Sequence, residues 1–404
     1  MIRPAGRAGT PGDLLIALAL TAFPLDHDMS NPTSPANETD QRPPADTEAA
    51  NPFRYVVSPG FAGILEQLKS TLLLTTYQAG KLMAVRAQAG RVSTLLRSFE
   101  RPMGLALNGD TLALGTRNAV WFLRNAPDIA PQLDPPGAFD ACFTPRQCHI
   151  TGDILGHEMS WAHSPPAGGG ATLPDAPPNE LWVVNTRFSC LCTLHADYSF
   201  IPRWRPPFVS ALAAEDRCHL NGLAMVDGQP RFVTALGRSD TPRGWKPGKA
   251  DGGVLIDVAT NEIVAGGFAM PHSPRWHAGR LWVLDSGLGA LQVVDPKNGQ
   301  RETVVRLPGY TRGLALHDGY AFVGLSRIRE KAEFGGLPIE ANGEPLQCGI
   351  WVVDLRHGAA VEFMAFEAGC DEVFAVEVLP GIRWPAIIGF KQETVNGIYI
   401  VPPA

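Results

Sequence analysis

Along most of its length this chain alternates short apolar runs with Gly/Asp turns, and the alternation returns at a regular interval. RPMGLALNGDTLALGTRN begins at Arg101 and CHLNGLAMVDGQPRFVTALGRSD at Cys218. HSPRWHAGRLWVLDSGLG begins at His272 and YTRGLALHDGYAFVGLSRIRE at Tyr310. Each reads as an apolar strand, a tight turn, a second apolar strand and a polar loop. Recurrence at roughly 40–60 residues, without a helical period, predicts an all-β chain folded as a single β-propeller, one four-stranded sheet per unit. The runs LWVVN, LWVLD, YAFVGL and IWVVDL are rich in Val, Trp and Leu and nearly continuous in hydrophobicity. Blades covered on both faces by their neighbours require that pattern, so the Trp and Phe within them are assigned to inter-blade core.

Counted this way, the chain is expected to hold seven blades. They are Gly63–Phe99, 103–146, the pair HEMSWAH and ELWVVNTRFSCLCTLHADYSF around a Pro/Gly-rich insertion at Ser164–Pro178, 219–268, 272–306, and 312–366 with an insertion at Arg329–Gln347. The last, EVFAVEVLPGIRWPAIIGFKQETVNGIYIVP, supplies three strands, and FRYVVS (Phe53–Ser58) is the strand expected to complete it and close the ring. Six blades is the alternative, because the first and third units are weakly marked. The propeller domain then spans 53–404, behind a low-hydrophobicity extension over 1–52. DLLIALALTAF (Asp13–Phe23) follows Arg3 and Arg7 as a signal-peptide core would. Asp13 interrupts that pattern, Pro24-Leu25-Asp26 stands where a cleavage site belongs, and the run is too short to span a bilayer. The expected start is therefore Met29, with a cleaved secretory signal as the competing reading.

Composition narrows the partners. One propeller absorbs most of the 404 residues, and Gly 42 with Pro 36 suits a turn every few residues. A net charge of −6 argues against a nucleic-acid binder, which should be basic. No membrane span is expected. The seven cysteines are odd in number and include no CxxC pair, so neither a disulfide framework nor a thiolate zinc site is indicated, and a reducing cytoplasm is expected.

Propeller geometry then says where the polar loops go. Strands within a blade are antiparallel, so loops before the innermost strand and after the second strand emerge on one face, around the central channel. Before the innermost strands stand Arg101, the run Glu215–Asn221, His272, Arg312 and Asp371-Glu372; after the second strands stand Tyr77-Gln78, Arg117, Asn185-Thr186-Arg187, Asp285-Ser286 and Ser326–Glu330. A turn has no use for arginine, and several converging on one mouth repel unless a carboxylate or an anion pairs them. Arg101, Arg117, Arg187, Arg275, Arg312, Arg327 and Arg329 are therefore expected to contact an anionic or highly polar small molecule or peptide group, with Asn185, Asn221 and Glu330 completing the site. Pairing within the protein, through Glu215, Asp285, Glu330 or Glu372, is the competing reading. Asp285 and Ser286 also fit plain turn capping.

His219, His272, Asp285 and Glu372 are the candidate catalytic acid–base groups. His219 and His272, with His149 or His157 and a carboxylate oxygen, are also candidate ligands of a divalent metal. No HxH or HxxxH pair supports this, so the ligands would come from different blades. Cys218 and His219 are adjacent and point apart on a strand, which excludes a nucleophile–base pair. No nucleophile elbow, phosphate loop or dinucleotide fingerprint is present.

The segments LLLTTYQAGKL, RPMGLAL, LWVVNTRFSCL, EDRCHLNGLA, MPHSPR, LWVLDSGLG, LPGYTRGLA and GLSRIRE resemble a family of bacterial conserved-hypothetical proteins, a domain of unknown function, over roughly residues 53 to 400. The resemblance implies a propeller and brings no activity. A looser similarity runs to six-bladed lactonase and strictosidine-synthase-like propellers, whose metal or substrate sits at the channel mouth; that is analogy of fold. The function expected is a ligand-binding propeller that reads an anionic or highly polar group at the channel mouth, its enzymatic status open. The alternatives are a non-catalytic scaffold for a protein partner and a metal-dependent hydrolase or lyase.

Overall fold

A computed structural model describes residues 53–163, 179–327 and 335–401. Among these residues the strands form six sheets, and the innermost strands of successive sheets touch in a closed ring. The propeller therefore has six blades, and the seven-blade expectation is corrected to its alternative. Blades three to six follow the sequence in order. Their innermost strands are Gly156–Trp161, Leu220–Val226, Pro271–His277 and Tyr310–His317. Leu105–Asn108 is the innermost strand of the second blade.

The first blade explains the miscount. Its unit contains only Thr71–Thr75, Lys81–Gln88 and Arg91–Ser98. The start of the expected unit, with the two residues before it, forms a helix, Phe61–Leu68, which buries Phe61, Ala62, Leu65 and Leu68. The missing innermost strand comes from the other end of the chain, Ala375–Leu379, paired antiparallel from Thr71↔Leu379 to Thr75↔Ala375. The expected seventh blade is thereby dispersed. Pro385–Ile387 adds in parallel to the outer strand of the second blade, and Arg54–Val57 pairs with the outer strand of the sixth. Both ends of the chain thus share sheets with distant partners, which leaves no unpaired innermost position in the ring.

The core lies between blades, as expected. Leu73, Leu82 and Ala84 of the first blade pack with Leu105, Leu112 and Leu114 of the second. Trp182 packs between the third and fourth blades, and Trp282 and Trp351 between the fifth and sixth. At the axis, glycines set the spacing. A Cβ on Gly222 would stand 2.3 Å from Pro274 Cδ, and one on Gly104 would stand 2.9 Å from the His157 carbonyl. The repeated Gly-Leu-Ala at 104, 222 and 313 thus lets the innermost strands of the second, fourth and sixth blades approach their neighbours. No described helix is long and apolar enough to cross a membrane.

Candidate functional site

The loops before the innermost strands and after the second strands enclose a cavity of about 260 Å³ at the channel mouth, with contributions from all six blades. Met103, Leu155, Leu236, Met270 and Phe374 supply apolar wall. The polar wall is His157, His219 and His272, with Tyr77, Tyr310, Asp216, Ser326 and three arginines.

The three imidazoles are held in the same way. His157 Nδ1 lies 3.1 Å from the Leu155 carbonyl and 2.9 Å from the Thr186 hydroxyl. His272 Nδ1 lies 2.9 Å from the Met270 carbonyl and 3.0 Å from Ser286 Oγ. His219 Nδ1 lies 3.0 Å from each Asp216 carboxylate oxygen. A carbonyl or a carboxylate can only accept, so these partners assign a proton to Nδ1 in all three rings. Burial, then the nearby Arg312 charge, pushes His157 and His272 well below the usual histidine range, so both are neutral near pH 7. The third and fifth blades repeat one device. In each, the accepting carbonyl belongs to a residue two positions before the histidine that sits in the left-handed region, Leu155 at φ 51° and Met270 at φ 54°.

Such backbone is concentrated here. Tyr77, Leu155, Asp216, His219, Arg243 and Met270 all line the cavity and all have φ between 41° and 54°. Left-handed conformations disfavour residues with a Cβ and persist where surrounding structure enforces them, typically at binding sites.

The arginines behave differently from expectation. Arg312 donates to Glu372 at 2.8 Å and lies over the Phe374 ring, 3.5 Å from its centroid. Arg327 pairs with Asp371 and donates to the Phe366 carbonyl at 2.6 Å. Arg187 pairs with Asp153 at 2.9 Å, and Arg117 with Glu100 at 3.0 Å on the exposed rim. Each of these cations has a carboxylate in the protein, so the competing reading of internal pairing describes them. A partly buried guanidinium without one would lose hydration with nothing in return. Arg101 stands exposed at the rim, 5.8 Å from the Tyr77 ring centroid.

Several expected site residues are placed elsewhere. Arg275 lies along the channel, where its guanidinium meets Glu158 at 3.0 and 3.1 Å and the Leu314 carbonyl at 3.0 Å. Asn185 caps the turn at Phe188 N. Asn221 bridges blades, donating to the Pro271 carbonyl at 3.0 Å and accepting from Thr234 at 2.7 Å. Asp285 is fully buried, accepts from Ala269 N and lies 3.6 Å from Arg301; burial pushes its carboxyl up to about 6. His149 is spent on an outer strand, against the Ser199 carbonyl. Arg329 and Glu330 lie outside the described residues. Of the candidate catalytic set, His219, His272 and Glu372 reach the cavity and Asp285 does not. Among the described residues, no group of three or more His, Cys, Asp or Glu side chains is placed to hold a metal ion. The metal expectation for His219 and His272 is therefore not carried further.

Reading the sequence placed Asp216 in the polar run at the mouth without giving it a role, and missed Tyr310 and Phe374 as site residues. Asp216 has a local signal, an Asp three residues before a His in a loop. Tyr310 and Phe374 sit in apolar segments and look like core.

Comparison with known proteins gives no activity. No curated protein matches the chain. Among solved structures, one titled "Crystal structure of Nidogen/Laminin Complex" is 9% identical with a TM-score of 0.49, covering 77% of this chain and 99% of that one. A protein of unknown function from Bacteroides caccae is 8% identical with a TM-score of 0.45, covering 77% and 98%. The family described as a domain of unknown function, DUF4915, matches residues 59–388, and the chain belongs to it.

Proposed function

We propose that the channel-mouth cavity binds a small, highly polar molecule or peptide group. The observation that carries this is the set of three imidazoles, two of them held neutral, anchored through Nδ1 alone and lining one cavity. Nδ1 is used by the framework, which leaves Nε2 of His157 and His272 as acceptors, with Nε2 of His219 beside them, for a ligand rich in hydrogen-bond donors. Pairing of Arg312 and Arg327 within the protein favours a polar ligand over a strongly anionic one. The apolar wall and Phe374 accommodate a carbon body, and a concave site with few convergent polar groups is the usual form of a small-molecule pocket.

The scaffold reading finds less support at this face. Of the exposed large apolar side chains, Val56, Val57, Tyr198 and Ile263 lie on the outermost strands of their blades, and Leu212 stands in the loop before the fourth blade's innermost strand. An interface core would need aromatic anchors at the mouth itself.

A thermal-shift screen of neutral and zwitterionic polar metabolites tests the reading. A true ligand at a hundredfold excess over its Kd should stabilise the protein by about 2.7 kcal/mol. The shift should vanish in Phe374→Ala and in His272→Gln. A ligand that stabilises both variants as well as the parent binds elsewhere, and the reading falls.

A further inference from the structure

The three imidazoles differ in what stands behind them. His157 and His272 are backed by main-chain carbonyls, whereas His219 is backed by a carboxylate. Asp216 presents both oxygens to His219 Nδ1 at 3.0 Å and also accepts from Trp245 Nε1 at 3.1 Å. Trp245 is itself buried, and its ring lies 4.7 Å from that of His219. On another side the His157 ring meets His219 in a T-shaped contact at 4.9 Å. The imidazole is thus wedged between two rings, with its carboxylate fixed by an indole. Both side chains remain slightly accessible, His219 at 12% and Asp216 at 13%. Asp216 and His219 also both adopt left-handed backbone, at φ 50° and 51°. A turn that only had to connect two strands would place Gly or Asn there.

We propose that Asp216 and His219 form an acid–base dyad, in which His219 Nε2 takes a proton from a bound ligand and Asp216 is its positioning residue. Asp216 fixes the tautomer and orientation and steadies the imidazolium that forms. The inference rests on the cavity being a ligand site. The substrate class it fits is a small carbonyl compound. The ligand's X–H bond breaks as an Nε2–H bond forms, the electron pair stays on the ligand, and the negative charge collects on the carbonyl oxygen. Arg312, in the same cavity and already paired with Glu372, shares its charge between that carboxylate and the oxygen. Nε2 later returns the proton to the product, so no oxidant or further reactant is needed.

Carbethoxylation by diethyl pyrocarbonate, read by peptide mass spectrometry on the full chain without ligand, tests the dyad. The Nε2 lone pair attacks the reagent carbonyl, an N–C bond forms, and a C–O bond breaks. The ethyl carbonate released takes up the imidazole's proton and decays to ethanol and carbon dioxide. His219 should label faster than His157 and His272, and Asp216→Asn should slow it roughly tenfold or more. By ¹⁵N NMR, His219 should carry a proton on Nδ1 in the parent and shift it to Nε2 in Asp216→Asn. Asp216→Glu should restore part of the labelling rate. Should Asp216→Asn fail to fold, Trp245→Phe takes its place with the same expected slowing. Equal labelling in parent and variant, or no labelling of His219, overturns the proposal. Because no ligand is used, fast labelling in a protein that binds nothing in the screen would fault the binding reading and not the dyad.

Discussion

Two polar clusters lie on the propeller axis, and they use their hydrogen bonds in opposite ways. At the mouth, the framework takes one nitrogen from each imidazole. Further along the channel, Arg275 gives its donors to Glu158 and to the carbonyls of Leu314 and Pro274, while Glu158 also accepts from Leu223 N. These contacts join the third, fourth, fifth and sixth blades. Most of the guanidinium's donors are consumed by the fold itself. Polarity and centrality are the same in both places, so neither marks a site; what separates them is bonding capacity that the fold does not consume.

The comparison breaks most readily at Arg275. If that cluster is a clasp, Arg275→Met leaves the Glu158 carboxylate buried and unpaired, at a cost of about 3 kcal/mol. The double variant Glu158→Gln, Arg275→Met should recover most of the loss, since no charge is then stranded. Denaturant midpoints of the two variants decide this. If Arg275→Met unfolds at the parent's midpoint, the channel pair is not structural and the contrast with the mouth disappears.

The same contrast explains what the sequence could and could not say. The face on which the polar loops gather follows from strand alternation alone, and His219, His272, Arg312 and Glu372 were found that way. The recurrent Gly-Leu-Ala at 104, 222 and 313 was visible as a repeat, and its cause is the close approach of innermost strands. Glu372 was legible as a partner for some arginine, but that the arginine is Arg312 was not, because the two come from different blades and are separated by 60 positions. Whether a convergent arginine is free or spent is decided by tertiary neighbours. The blade count failed for a more local reason. Phe61, Leu65 and Leu68 stand at helical spacing, and counting most of that stretch within a four-stranded unit concealed that the first blade lacked its innermost member. Ala375–Leu379 is a good strand by composition wherever it pairs, so nothing within it announced that it belongs to the first blade.

Glu377, on that C-terminal strand, sharpens the channel side of the comparison. Burial raises its carboxyl to about 7, with the Arg275 charge pulling it back down. Above its ordinary range the unfolded chain gives up this proton while the folded protein keeps it. The stabilisation is therefore complete below pH ~4.5 and is lost as pH rises to about 7. Glu377→Gln should match the parent at the acid end and become the more stable protein above pH ~7, by about 1–2 kcal/mol, since the side chain is only partly buried. Unfolding midpoints of the pair across that range should diverge steadily. Parallel curves would mean that Glu377 is ionised throughout and that the channel carries more compensation than Arg275 supplies.

The smallest effect belongs to the rim. Arg117 and Glu100 form a pair whose side chains are 46% and 60% exposed. Exposed pairs of this kind are screened by salt and contribute little, because water solvates either partner when the other is removed. Arg117→Ala should leave the unfolding midpoint where it was and leave any ligand found in the screen bound as before. Arg312→Ala, by contrast, removes a guanidinium that stacks on Phe374 inside the cavity, so it should weaken that ligand. Arg117 and Arg327 occupy matching places in their units, in LALGTR and FVGLSR, and only the second lines the cavity. If Arg117→Ala released the ligand, recognition would extend beyond the mouth to the rim, and spare bonding capacity would no longer be enough to delimit the site.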